Sequence, residues 1–196
     1  MTYLGREFEV PETVHPPKPV SDVLGRCVLD EVRATDRVLD MGTGSGVNAV
    51  LAASHASEVV AVDINPDAVR CARHNAELNG VAARVTAFES AVFERVEGKF
   101  DLIIFDPPFR WFAPRDMYER SPTDEGYRAL TEFFDQVDDH LADDGRILVF
   151  FGTSGDIDYL MHLIQTAGFA RRELRARSGL KEDELITYST FKLTRL

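Results

Sequence analysis

The run Arg37-Val38-Leu39-Asp40-Met41-Gly42-Thr43-Gly44-Ser45-Gly46 has the make-up of a ligand loop. A short apolar stretch ends in an acid, glycines recur at every second position, and Val47–Ala53 then reads as a helix. A helix N-terminus behind such a loop offers backbone N–H groups to an incoming ligand. Glycine suits the loop because the chain must turn tightly and a Cβ would obstruct the ligand. The spacing is G-x-G-x-G. A dinucleotide fingerprint needs its third glycine at position 47, where this chain has Val47. A second apolar run, Glu58–Ile64, carries Asp63, 23 positions after Asp40. An acid there can accept hydrogen bonds from both hydroxyls of a ribose in an adenosine cofactor. The plainer alternatives are a glycine turn without a ligand and an Asp63 that only caps the helix opened by Asn65-Pro66.

These residues need a scaffold, and the chain supplies alternating elements. Residues 1–20 are rich in proline (Pro11, Pro16, Pro17, Pro19) and cannot form a long helix. Ser21 suits a helix N-cap, followed by Val23, Leu24, Cys27, Val28 and Val32 at helical spacing. After the second strand, Pro66 suits a first helical position, and Asn79-Gly80 stops that helix. Ala83–Ser90 and Phe100–Phe105 read as the third and fourth strands. The irregular stretch 109–122 is long enough to be functional rather than a plain connection. Thr123–Ala142 reads as a helix, Arg146–Phe151 as a strand and Asp156–Ala167 as a helix ended by Gly168. Leu185–Leu193 alternates as a half-buried antiparallel strand should. Strands alternating with helices predict an α/β, doubly wound, mostly parallel sheet, whose ligands bind beyond the carboxyl ends of the strands. Asp40–Gly46, Asp63–Asn65, Glu89–Ser90 and Asp106–Phe109 all fall at such ends.

The length of 196 residues fits one domain spanning 1–196, with 1–20 as a proline-rich N-terminal segment. A hydrophobic share of 44% and a charged share of 28% are those of an ordinary globular protein. No apolar run approaches the ~20 residues of a membrane-spanning helix, and the first ten residues lack an apolar signal core. Cys27 and Cys71 lack metal-ligand spacing, so buried thiols, no metal and a cytoplasmic location are expected. A net charge of −11 opposes tight unspecific binding to nucleic acid, whose affinity comes mainly from Lys and Arg. The acids cluster in Asp135–Asp144 and Glu182–Glu184, most simply as solvated faces.

With Asp40 just ahead of it, the glycine loop resembles motif I of the class I S-adenosylmethionine (SAM) methyltransferases. That resemblance implies a Rossmann-like, seven-stranded sheet with an antiparallel C-terminal strand, and SAM as cofactor with S-adenosyl-L-homocysteine as product. It implies cofactor contacts from Asp40, Gly42, Thr43, Gly44 and Gly46, with Asp63 on the ribose and Ile64 on the adenine. At the third strand end the family often has Ser-Asp-Leu-Phe, whose Asp meets the adenine amino group. Here that position is Ala91, so Glu89, the Ser90 hydroxyl or the backbone alone must serve.

Asp106-Pro107-Pro108-Phe109 resembles the (Asp/Asn)-Pro-Pro-(aromatic) motif of amino-group methyltransferases. A planar amide or base nitrogen has a delocalised lone pair and is a poor nucleophile. The Asp106 carboxylate and the Pro107 carbonyl can bind its two N–H protons and bias the lone pair towards the methyl sulfonium, and Phe109 offers a stacking face. Asp106 would thus border both cofactor and acceptor; a structural turn is the alternative for Pro107-Pro108. The next residues interleave Arg110, Arg115 and Arg120 with Trp111, Phe112 and Tyr118, which suits a flat or anionic substrate or else anchors an active-site lid. His15 could line the pocket. Together these stretches resemble the "methyltransferase small domain" group, which includes release-factor glutamine methyltransferases and ribosomal-RNA base methyltransferases. The segment Pro17-Lys18-Pro19-Val20-Ser21-Asp22 resembles that group's Pro-Arg-Pro-Glu-Thr-Glu stretch. Release-factor enzymes usually carry Asn-Pro-Pro-Tyr and a helical N-terminal domain, so the acceptor stays open between a protein amide, an RNA base amine and a small molecule. Oligomeric state and activator partner are left open too. A catalytically silent SAM-binding subunit and an NAD-dependent oxidoreductase are the competing classes; an intact Asp-Pro-Pro-Phe opposes the first, and Val47 the second.

Overall fold

The computed structural model describes residues 1–113, 123–181 and 184–196. A small antiparallel hairpin, β1 (Thr2–Tyr3) and β2 (Arg6–Glu7), precedes α1 (Asp22–Glu31). The core unit follows: β3 (Arg37–Met41), α2 (Val47–Ala53), β4 (Glu58–Asp63), α3 (Pro66–Leu78), β5 (Val85–Glu89) and β6 (Phe100–Phe105). The chain then forms α4 (Arg128–His140), β7 (Leu141–Gly152), α5 (Ile157–Thr166), β8 (Phe169–Lys181) and β9 (Glu184–Arg195). The main sheet has seven strands in the order β5-β4-β3-β6-β7-β9-β8. β9 runs antiparallel to both β7 and β8, while the pairings from β5 to β7 are parallel.

The central strands are buried on both faces, which is why they read as continuous apolar runs. Side chains of α1, α2 and α3, among them Leu24, Val50 and Ala72, pack on one face of the sheet. Leu130 and Phe133 of α4 and Leu160 of α5 pack on the other. The chain moves outwards from β3 through β4 to β5, then returns to place β6 on the other side of β3. The strand order therefore reverses between β3 and β6, the point where open α/β sheets bind their ligands.

Two local expectations are corrected, and one strand was not foreseen. Ser21 precedes α1, but its hydroxyl accepts the Lys18 N–H instead of capping the helix. The helix expected over Thr123–Ala142 begins only at Arg128, because Gly126 and Tyr127 have positive φ (63° and 53°) and break the helical path. Finally, β8 carried no alternating signal: from Arg171 to Leu180 only Leu174 is even partly buried, as befits an edge strand.

At the amino ends of β3, β6 and β7 the sheet is closed by Arg146, only 2% exposed. Its Nη2 lies 2.7 Å from Asp36 Oδ2 and also donates to the Glu31 carbonyl, while Nη1 reaches the Asp101 carbonyl at 2.9 Å. Asp36 itself accepts the Arg33 N–H. A buried charge pair is costly to break, because the remaining partner is left uncompensated. Asp36→Ala should therefore lower unfolding stability by about 3–5 kcal/mol in urea titration. A loss below about 1 kcal/mol would show that water reaches Arg146.

Candidate active site

A single cavity of about 1100 Å³ opens at the carboxyl ends of β3, β4, β5 and β6. It slightly exceeds the ~300–1,000 Å³ usual for one small ligand. Gly42 and Gly44 form its floor with φ of 68° and 53°, and the space where a Cβ of Gly42 would sit is empty. Side chains other than hydrogen rarely adopt that backbone. Gly46 has a different reason to be glycine. At φ 80°, a Cβ there would sit 2.7 Å from Ala72 Cα, so Gly46 lets the start of α2 press against α3 and does not line the cavity.

Asp40 is also held back from the cavity. It is buried, and its Oδ2 accepts the Thr43 hydroxyl at 2.6 Å and the Ala49 N–H at 3.0 Å. Asp40 thus ties the glycine loop to α2, while Thr43 itself lines the cavity. Burial, the dominant cause, pushes its carboxyl up to about 6, against the lowering effect of those two hydrogen bonds. Asp63, at the end of β4, does line the cavity. Its Oδ2 accepts the Gly44 N–H and its Oδ1 the Asn65 N–H, both at 2.9 Å. The cap of α3 is Asn65, whose side chain accepts the Asp67 N–H, and Asp63 supports that helix entry by holding the Asn65 N–H while it also holds the glycine loop. Burial also raises the Asp63 carboxyl.

At the end of β5 the expected residues part company. The Glu89 side chain is exposed and outside the cavity. Ser90 lines it, but its hydroxyl donates to the Val92 carbonyl and accepts the Arg95 N–H. Ile64 is exposed at the cavity wall. Asp106 directly follows β6, and burial first, then the Asp40 charge, push its carboxyl up to about 7. Among the described residues, no hydrogen bond is formed by the Asp106 carboxylate. Pro107 and Pro108 continue the wall, and the Phe109 ring rests against Phe151 (centroids 5.0 Å apart), Phe150 and Tyr188. His15, Arg110 and Phe112 reach the cavity as well; Trp111, 66% exposed, does not. Arg115, Tyr118 and Arg120 lie outside the described residues.

The cavity also recruits residues that sequence reasoning passed over. Lys18 comes from the proline-rich stretch, and its charge opposes the rise at Asp106. Asn48 stands in the wall from α2, 8% exposed, with an Oδ1 that has no hydrogen-bond partner among the described residues. A lone amide in an otherwise apolar helix was the signal that could have found it. Among the described residues, no group of three or more His, Cys, Asp or Glu side chains is placed to hold a metal. No described helix is long and apolar enough to cross a membrane.

With this geometry, comparison with known proteins is decisive. The profile of the methyltransferase small domain matches residues 20–166. The chain belongs to the methyltransferase small domain family. The methyltransferase is 30% identical over 196 residues to a Methanocaldococcus jannaschii protein assigned to protein N5-glutamine methylation, covering 96% of this chain and 97% of that one. It is 32% identical over 168 residues to the release factor glutamine methyltransferase of Aquifex aeolicus, covering 76% of this chain but only 58% of that protein. In fold it is similar to the crystal structure of a ribosomal protein L11 methylase from Lactobacillus delbrueckii, with a TM-score of 0.71 at 21% identity and coverage of 95% and 83%.

The raised Asp106 carboxyl makes a stability prediction for the methyltransferase. Its folded value, about 7, lies above the ordinary 3.8, so its contribution is fully present below pH ~4 and lost as pH rises through 7. Asp106→Asn removes that penalty. The variant should be more stable than wild type by roughly 1–3 kcal/mol at pH 8, with the gap closing towards pH 4. Denaturant titrations at several pH values measure this, and a pH-independent gap would mean that Asp106 titrates normally.

Proposed function

We propose that the methyltransferase moves a methyl group from S-adenosyl-L-methionine to the side-chain amide nitrogen of a protein glutamine. One juxtaposition carries the reading: the Asp106 carboxylate and the Pro107 carbonyl follow β6, beside the Gly42–Gly44 loop on the adjacent β3, in one cavity. The relative in M. jannaschii, matched over nearly its whole length, supports the protein amide as acceptor. The cavity exceeds what one small ligand usually fills, which leaves space for an acceptor group beside a cofactor.

The residues present fit an adenosine cofactor. The Gly42–Gly44 backbone leaves room for close approach, and the Asp63 carboxylate, held at the cavity wall by backbone N–H groups, has acceptor capacity left for ribose hydroxyls. Ile64 supplies an apolar edge for the adenine, and with Glu89 turned outwards, Ser90 and the adjoining backbone are left to meet its polar rim. When bound, SAM supplies a methyl group on a sulfonium, and S-adenosyl-L-homocysteine is left as product.

Asp106 and the Pro107 carbonyl accept the two N–H groups of the acceptor amide. This turns the nitrogen lone pair out of conjugation and towards the methyl. As the N–C bond forms, the nitrogen gives up one proton, and Asp106 takes it as general base with a pKa suited to neutral pH. Phe109 walls the acceptor side with an aromatic face. Most of the rate gain comes from holding the reactants in line.

SAM should raise the melting temperature and NAD should not; at 100 times its dissociation constant, a ligand adds about 2.7 kcal/mol. Stabilisation by NAD alone would overturn the cofactor assignment.

Tritiated-methyl transfer from SAM into purified release factor, and into fractionated protein, RNA and small-molecule pools, tests the acceptor. Label confined to RNA or to small molecules would sink the amide reading, and binding without any transfer would make the chain a silent subunit. Once an acceptor is found, Asp106→Ala should leave calorimetric SAM affinity nearly unchanged and cut transfer by about 100-fold or more. Unaltered transfer would move the chemistry away from Asp106.

A further inference from the structure

Three consecutive carbonyls after the proline pair are captured by one turn on the far side of the loop. The Phe109 carbonyl accepts the Tyr127 hydroxyl at 2.8 Å. The Arg110 carbonyl accepts the Asp124 N–H at 2.6 Å, and the Trp111 carbonyl accepts the Gly126 N–H at 2.8 Å. The turn is itself anchored, since both oxygens of Asp124 accept N–H groups at the start of α4, from Ala129 and Leu130.

Tyr127 is the unusual member. It sits at φ 53° and ψ 36°, a left-handed backbone that a bulky residue rarely adopts and that costs on the order of 1–3 kcal/mol. Its hydroxyl also accepts the Asp156 N–H at 2.8 Å, so the phenol bridges the loop after β6 to the cap of α5. The ring stacks on Tyr159, centroids 5.6 Å apart at 19°. Tyr127 is buried and does not line the cavity, so it touches neither cofactor nor acceptor. From the α5 side, Gly155 leaves no slack: a Cβ there would lie 2.9 Å from the Phe109 carbonyl oxygen.

We propose that Tyr127 is a positioning residue for methyl transfer, its hydroxyl fixing the Phe109 carbonyl so that Asp106 and the Pro107 carbonyl converge on one acceptor nitrogen. The tetrapeptide is then clamped at both ends. β6 holds its start through the pairing of Phe105 with Met41 and Val149, and Tyr127 holds its finish. Neither proline can donate a hydrogen bond of its own, so the orientation of the Pro107 carbonyl depends on those two clamps. The strained backbone at Tyr127 is the conformation that lets the phenol reach both partners. This role rests on the proposed transfer at Asp106.

Tyr127→Phe keeps the ring and loses only the bridge; Gly155→Ala perturbs the same carbonyl from the other side and leaves Tyr127 intact. The first readout needs no acceptor: carbon-13 NMR titration of the Asp106 carboxyl in wild type and both variants. In both variants the Asp106 midpoint should fall by about one unit or more from its wild-type value as the loop loosens and admits water. An Asp106 midpoint unchanged in both variants, each folded, would overturn the clamp whatever the acceptor is. If one variant fails to fold, the other decides. In the transfer assay, kcat should fall about tenfold or more, with acceptor KM and SAM affinity within about twofold of wild type. In an Asp106→Asn background the Tyr127→Phe loss should largely vanish, because the two act as a unit. Full additivity would make Tyr127 a merely structural residue. A shifted Asp106 midpoint with no transfer to any protein pool would leave the clamp standing and refute the glutamine reading.

Discussion

Three carboxylates stand at the ends of three adjacent parallel strands, Asp40 buried and Asp63 and Asp106 half-buried at the cavity wall, and the rest of the molecule sustains that arrangement. Asp40, Asp63 and Asp106 belong to β3, β4 and the residue after β6, which are neighbours in the sheet. Burial is the largest cause of the rise in all three carboxyls, and the Asp40 charge adds to it at Asp106. Charged groups drawn out of water destabilise a fold unless they find partners. Asp40 and Asp63 take backbone N–H groups and a hydroxyl, which offsets part of the cost. Asp106 retains most of it, as a group poised to meet a polar or cationic ligand does.

The two rims of the sheet treat charge in opposite ways. At the amino ends of β3, β6 and β7, Arg146 is locked to Asp36 and to two backbone carbonyls, with every contact internal. That rim is closed. At the carboxyl ends Asp63 and Asp106 line a cavity, and Lys18, from outside the sheet, is the cation whose charge opposes the rise at Asp106. The same parallel strands set both rims, since a parallel sheet points every carboxyl end one way. Placing the order reversal between β3 and β6 then brings the glycine loop and Asp106 side by side.

The two apolar layers supply the opposing energy. Side chains of α1, α2 and α3 cover one face and those of α4 and α5 the other, so that β3, β4 and β6 are dry along most of their length. Gly46 is part of this packing, since it allows the loop to lie against Ala72. A loop held this closely keeps Gly42 and Gly44 in their left-handed conformations, and the floor of the cavity is shaped before any ligand enters. Preformed polar geometry of this kind lowers the ordering cost at the moment of binding.

The order of elements from α1 to α5, the glycine loop and the strand-end positions of Asp63 and the Asp-Pro-Pro-Phe tetrapeptide were legible in the sequence, because each has a local cause. Apolar runs mark buried strands, glycine spacing marks a tight loop, and polar residues at strand ends mark a rim. The edge strand β8 was not legible, since an exposed strand has no periodic apolar face to reveal it. Nor could spacing separate Asp40, which braces the loop from behind, from Asp63, which faces the cavity: both are acids at strand ends, and only packing decides which way each points. Glu89 turned outwards for the same reason, because neighbouring residues of a strand face opposite sides. Tyr127 was read as one more residue of a helix. Only the tertiary structure could place it in a left-handed turn beneath Phe109, because its partners lie 18 and 29 positions away along the chain, and hydrogen bonds over that distance leave no pattern in the local sequence.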